Sequence, residues 1–181
     1  MSIITAKTKN ILRELLSWAL YIGGGFLAAM ILSHTILVNA EVTSGSMEKT
    51  IMTKDHIAGL RVAYLFGKPE RLDIVVFTNP IDPASDPYVK RIIGLPGDTV
   101  NIRDNQIYIN NAEEPLDEPY IAEPMKTPDA SYAVPEGHYF MMGDNRNRST
   151  DSRFSEVGFI PYDDIIGKVY IGWFPNFRIL K

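Results

Sequence analysis

Hydrophobic and polar positions follow two regimes along this chain. From Leu15 to Ala40 a run of 26 residues carries no formally charged side chain, only His34. A helix needs roughly 20 apolar residues to cross the hydrocarbon layer of a bilayer, so the run predicts a membrane-spanning helix. Trp18 and Tyr21 stand near its start, where amphipathic rings favour the interface. Two other readings compete for the segment. A buried helix in a soluble protein is rarely this long, and a cleaved signal peptide would have an apolar core of only about 7–15 residues. Val38-Asn39-Ala40 resembles a small-residue cleavage site, but the length favours an uncleaved anchor.

Beyond residue 40 the pattern shortens to a period of two. Leu72 to Phe77 reads as a strand, and Tyr88 to Ile93 as a second, stopped by Gly94-Leu95-Pro96-Gly97-Asp98. Val100 and Ile102 alternate with polar neighbours, as do Ile107 and Ile109 across Asp104-Asn105, which predicts a hairpin. His138 to Met142 and Lys168 to Trp173 are further strands. The stretch 111–135, rich in Glu, Asp and Pro, reads as an irregular surface excursion. Many short strands between Gly/Pro turns predict a mainly β unit, a coiled antiparallel or barrel-like sheet behind one N-terminal transmembrane helix. The expected boundaries are 1–14 for a cytoplasmic tip, 15–38 for the anchor and 39–181 for the β-rich unit.

Charge supports that order. The 181 residues carry a net charge of −4, yet Lys7, Lys9 and Arg13 against Glu14 give the first 14 residues +2. A basic tip before an apolar run keeps the N-terminus in the cytoplasm and sends the rest outside. The acidic remainder offers no basic surface for nucleic acid. Cysteine is absent. That excludes thiol peptidases, sortase-like transpeptidases, disulfide scaffolds and thiolate zinc sites.

Candidate chemistry begins at Ser44-Gly45-Ser46-Met47, directly after the anchor. A lone Ser-Gly-Ser is more often a turn than a nucleophile. A serine also needs a base to attack near neutral pH. There are three histidines. His34 lies in the apolar run, His56 in a polar turn, and His138 beside Tyr139 and Phe140, where a structural role is the simpler reading. No His-Glu-x-x-His pattern supports a metal site. Lys90 is the other option. On a strand it shares a face with Tyr88 and Ile92, while Arg91 points the other way. Burial there would depress its pKa and make it a usable base. The bland alternative is an edge-strand lysine that reaches to solvent. A third cluster, Gly143 to Arg153, is dense in turn formers and charge. It reads either as a solvated loop or as a support in which Asp–Arg pairs fix geometry.

Together, and in this order, the anchor, the SGSM segment, LDIVVF, YVKRIIGLPGD and GDNRNRSTDSRFSEVGFIP resemble the bacterial type I signal peptidases. The match spans nearly the whole chain. The resemblance implies a β-rich catalytic unit outside the cytoplasmic membrane and cleavage of preproteins after small residues at −1 and −3. It implies Ser46 as nucleophile and Lys90 as general base, with no metal or cofactor. Ser44 is similar to the hydroxyl that joins the Ser46 N–H in the oxyanion hole, and Ser149 to the serine that bonds the lysine amine. Asp144, Asp151, Arg153 and Arg91 match supporting positions. Expected partners are preprotein signal peptides, the lipid bilayer and the secretion translocase.

Two positions depart from the family pattern. Lys49 stands where the family has proline, and Leu72 where the strand opens with glycine. Lysine at position 90 resembles the bacterial branch, since the endoplasmic-reticulum branch uses histidine. The short connections resemble the compact Gram-positive form. A non-catalytic relative that binds signal peptides or regulates a partner is the alternative, resting on Lys49 alone. A self-cleaving Ser/Lys repressor would need a DNA-binding domain where this chain has an anchor. Self-processing after Ala40 is a further expectation. Met47, Ile51, Trp173, Phe174 and Phe177 are candidates either for the membrane interface or for the core.

Overall fold

The computed structural model describes residues 2–180 and divides into two compact units, 1–37 and 38–181. The first is a single helix, α1 (Ser2–Ile36), with exposed side chains from Lys9 to Thr35. Its stretch Lys9–Ile36 is 28 residues long and apolar enough to cross a membrane. At about 1.5 Å per residue it exceeds the roughly 30 Å hydrocarbon thickness.

The second unit is built on a curled antiparallel sheet of eight strands. These are β1 (Leu37–Glu41), β2 (His56–Leu60), β3 (Ile74–Phe77), β4 (Tyr88–Gly94), β8 (His138–Met142), β9 (Ile160–Pro161), β10 (Ile165–Phe174) and β11 (Arg178–Ile179). Their order is β1-β2-β10-β3-β4-β8-β9, with β11 on β10. One side of β10 pairs with β2; the other pairs first with β3 and then with β11. Register shifts in the β10 pairings and in β4–β8 mark bulges, which strengthen the local twist and curl the sheet.

A smaller sheet carries β5 (Thr99–Arg103), β6 (Gln106–Ile109) and β7 (Ala130–Ala133) in the order β6-β5-β7. The hairpin expected across Asp104-Asn105 is β5–β6. Both turn residues have positive φ, 49° and 62°, as a two-residue type I′ turn requires. The excursion 111–135 is irregular except for β7, whose Ala130-Ser131-Tyr132-Ala133 pairs with β5. Without large branched residues it lacks the hydrophobic alternation that would announce a strand. Leu72 ends a turn and Asp73 follows it, so β3 opens at Ile74.

Alternation on the interior strands serves both faces. Ile74 and Val76 enter one core with Met47, Ile51 and Val169. Val75 and Phe77 enter another with Ile92 and Met141. A third core, around Ile102, Ile107 and Phe140, joins the smaller sheet to β4 and β8. Met47 and Ile51 are 1% and 0% exposed, so they are core residues and not membrane contacts. Trp173, Phe174 and Phe177 are 43%, 53% and 70% exposed and belong to the surface.

Candidate active site

Position in the sheet settles the character of Lys90. Strand β4 lies between β3 and β8, so it is interior, and an edge lysine reaching to solvent is ruled out. The register pairs Lys90 with Val75, Tyr88 with Phe77 and Ile92 with Met141. The lysine stem therefore stands on an apolar face, and the residue is 4% exposed. Its Nζ sits 4.9 Å from the centre of the Tyr88 ring. Burial disfavours the ammonium and depresses the pKa to about 8, against the opposing pull of Asp151 and Asp144.

Lys90 Nζ donates to Ser46 Oγ at 2.7 Å. Ser46 is itself buried, and its hydroxyl also lies 3.3 Å from Ser44 Oγ. When the amine is neutral the same contact runs in reverse, with the hydroxyl donating to nitrogen. No histidine competes among the described residues. His138 Nδ1 meets Glu136 O, and His56 packs between Trp173 and Phe174. The described residues hold no group of three or more potential metal ligands.

The loop that carries Ser46 is held on two sides. Below it, Met47 and Ile51 are sunk in the core, and Ile51 N–H closes a turn on Met47 O at 2.8 Å. Above it, Thr50 Oγ1 donates to Asp144 at 2.5 Å. Asp144 accepts two bonds from Arg91, Nε at 2.9 Å and Nη2 at 2.7 Å, and both side chains are almost completely buried. This fork leaves no oxygen of the carboxylate uncompensated. On the next turn Asp151 accepts from Arg153 Nε at 2.8 Å and from the Gly143 N–H at 3.1 Å. Apart from the exposed Arg148 and Thr150, the third cluster thus forms a largely buried support and not a solvated loop.

Gly143 is required by close approach, since a Cβ there would overlap Ser149 Oγ and Ser46 O. Ser149 lies beside Ser46, but no hydrogen bond joins it to Lys90 among the described residues. Its hydroxyl is buried without a partner. Such a group costs stability unless a rotation of χ1 or a bound molecule satisfies it.

Three supporting residues give no signal of their role in the sequence. Thr50 ties the loop to Asp144. Tyr120 and Glu118, from the irregular excursion, clasp the arginines beneath the site. The Tyr120 ring lies 3.8 Å from the Arg91 guanidinium, and its hydroxyl donates to Glu118 at 2.7 Å. Glu118 in turn accepts from Arg146, with Nη1 at 3.0 Å. The acidic composition of 111–135 is plain, but nothing local distinguishes a buried partner from a solvated charge.

Ser46 and Lys90 open on a groove of about 930 Å³. Its walls include Ala40, Val42, Ser44, Met47, Tyr88 and Val89. Lys49 is exposed and lines no part of it, so nothing supports a non-catalytic reading.

A family model described as signal peptidase, peptidase S26, matches residues 15–174. The chain belongs to this family. A probable signal peptidase I-2 from Synechocystis sp. is 35% identical over 190 aligned positions, covering 95% of this chain and 84% of the relative. Signal peptidase IB from Staphylococcus aureus is 31% identical over 181 positions, covering 90% and 91%. Among solved structures, a crystal structure of a signal peptidase I from Enterococcus faecalis is 39% identical, with a TM-score of 0.49 over 56% of this chain and 96% of that one.

Proposed function

We propose that this member of the signal peptidase family removes signal peptides from preproteins with Ser46 as nucleophile and Lys90 as general base. The observation that carries the reading is the 2.7 Å contact between Lys90 Nζ and Ser46 Oγ, both side chains being buried.

The substrate lies extended in the groove against β1, an edge strand of the sheet. Backbone bonding aligns it without reading sequence. Side chains of an extended peptide alternate, so −1 and −3 face the same wall while −2 faces away. Apolar walls that include Ala40, Val42, Met47 and Val89 receive the small residues at those two positions. Neutral Lys90 takes the Ser46 proton as the oxygen attacks the scissile carbonyl. The Ser46 N–H and the Ser44 hydroxyl receive the oxyanion, a role worth about 3–4 kcal/mol for one good donor. Lys90 then gives its proton to the leaving amine, and water activated by Lys90 frees the acyl group. Ser149, whose hydroxyl has no other partner, turns toward the amine and orients it. Asp144 with Arg91, and Asp151 with Arg153, keep the two loops in register.

The helix crosses the cytoplasmic membrane with its basic end inside, and the β unit stands outside. Ser46 follows the helix end by ten positions. At no more than about 3.3–3.6 Å per residue it stays close to the membrane surface, where cleavage sites emerge. The exposed aromatics Trp173, Phe174 and Phe177 contact the lipid interface. The secretion translocase delivers the preproteins.

Cleavage of a preprotein with an Ala-x-Ala site, in detergent, tests the reading. The wild type is expected to release product ending at the −1 alanine, and Ser46→Ala and Lys90→Met to release none. Undiminished cleavage by either variant would sink the dyad.

A further inference from the structure

Asn145 is not among the residues assigned above, yet it holds both peptide groups that flank the nucleophile. Its backbone N–H donates to Ser46 O at 3.0 Å. Its side-chain Nδ2 donates to Gly45 O, also at 3.0 Å. Chemistry sets the amide orientation, because a carbonyl oxygen only accepts and the NH2 end must face it.

Gly45 C=O and Ser46 N–H are the two ends of one planar peptide group. Fixing the oxygen fixes the direction of the N–H. A glycine on the near side leaves that peptide weakly restrained by its own backbone preferences. Gly45 O also accepts from Glu48 N–H at 3.3 Å, a longer contact within the same turn. The Asn145 bond comes instead from a loop 100 positions away, on the support built around Asp144. It also polarises the peptide, which strengthens the N–H as a donor.

We propose that Asn145 is a positioning residue of the oxyanion hole, aiming the Ser46 N–H at the developing charge through Gly45 O. The inference rests on the serine–lysine reading above. A donor aimed at the oxyanion acts on the transition state and not on the bound substrate, so its disturbance lowers kcat and spares KM. Removing an oxyanion donor outright costs about 10²–10³ in kcat, and misdirecting one costs about tenfold to a hundredfold.

The test uses the full-length protein in detergent, with wild type, Asn145→Ala and Asn145→Asp cleaving one Ala-x-Ala preprotein. Both variants keep the backbone N–H bond to Ser46 O. Asn145→Asp also keeps the side-chain shape but turns an acceptor toward Gly45 O. Both are expected to lose about tenfold or more in kcat with KM within about twofold. The acid limb of the pH profile of Asn145→Ala should stay where the wild type has it, since Lys90 is untouched. Affinity for a peptide aldehyde, which forms a tetrahedral adduct with serine, should fall in step with kcat/KM. Affinity for a peptide with a reduced scissile bond should not change. Thermal unfolding confirms that each variant is folded, and Asn145→Asp carries the test if Asn145→Ala is not.

Unchanged kcat in a folded variant overturns the inference. So does a loss confined to KM, a displaced acid limb in Asn145→Ala, or an undiminished aldehyde affinity. A wild type that cleaves nothing overturns the serine–lysine reading itself, which separates the two failures.

Discussion

The Tyr120 ring lies 3.8 Å from the guanidinium of Arg91, the arginine that grips Asp144 beneath the Ser46 loop. An acidic, proline-rich excursion thereby becomes part of the support beneath Ser46. Burial and the neighbouring Glu118 charge both push the Tyr120 phenol upward, so it stays a donor to Glu118 throughout the physiological range. Removing only the hydroxyl, in Tyr120→Phe, should cost about 1 kcal/mol. Removing the ring as well, in Tyr120→Leu, should cost about 2 kcal/mol or more. Urea unfolding followed by circular dichroism measures both. Equal stabilities for all three proteins would mean that the excursion merely lies on the surface.

The Arg91–Asp144 pair is buried on both sides, and that decides what its loss costs. Asp144→Ala leaves a guanidinium in the core without its carboxylate and removes the acceptor by which Thr50 ties down the Ser46 loop. Breaking a buried pair by deleting one partner destabilises by about 3–5 kcal/mol. For a chain of this size the midpoint of thermal unfolding should fall by about 6–20 °C, at roughly 2–4 °C per kcal/mol. Thr50→Val keeps the pair and loses only the hydroxyl bond. It should remain within about 2 kcal/mol of wild type while losing activity. A stable and fully active Thr50→Val would remove Thr50 from the support.

Lys90 links activity to pH. In the proposed mechanism only the neutral amine accepts the Ser46 proton, so kcat/KM should rise with pH and level off above an apparent pKa of about 8. A rate already level at pH 6 would mean either a far deeper depression or a different base. Asp144 and Asp151 both pull the lysine pKa upward. Asp144→Asn should therefore move the acid limb to lower pH, as far as residual activity lets it be measured.

The same lysine should make the folded state more stable as pH rises. Its folded pKa of about 8 lies below the ordinary lysine value of 10.5, so the unfolded chain binds the proton more tightly. Stability contributed by this group is lost below about 8 and grows between there and 10.5, where unfolding must take up a proton, until the unfolded amine also deprotonates. Lys90→Met removes the buried ammonium. It should be more stable than wild type at pH 7 by about 3 kcal/mol, at about 1.4 kcal/mol per pKa unit. The gap should close as pH approaches 10. Paired unfolding curves across that range decide it; a gap that widens with pH would contradict the assignment.

Exposed aromatics on β10 and the turn after it predict lipid contact. The chain has two tryptophans, and Trp18→Phe leaves Trp173 as the reporter. In reconstituted vesicles its emission should be quenched by brominated lipids. Phe174→Ser with Phe177→Ser should weaken that quenching and slow cleavage of membrane-inserted preproteins, leaving soluble peptides unaffected. Trp173 emission at full aqueous exposure, with no lipid quenching, would place the patch away from the bilayer.

The features legible in the amino-acid sequence are those whose signal is local. An uncharged run of 26 residues can form a membrane helix whatever follows it. Asp104-Asn105 between two alternating runs makes a tight hairpin because both residues accept positive φ. Ser46 and Lys90 stand in motifs that resemble a known family, and period-two alternation places Lys90 on an apolar face.

What tertiary structure alone decided are relations between residues far apart in the chain. Whether Lys90 is an edge lysine or an interior one depends on β8 pairing with β4. Tyr120 and Glu118 have the composition of a solvated excursion, and only folding sets them against Arg91 and Arg146. Thr50 finds Asp144 across 94 positions, and Gly45 finds Asn145 across 100. Such pairs leave no periodic trace, because a side chain's partner is chosen by how the sheet curls and not by its neighbours in sequence. The sequence determined which groups could do chemistry; burial and the meeting of distant loops decided which ones face each other.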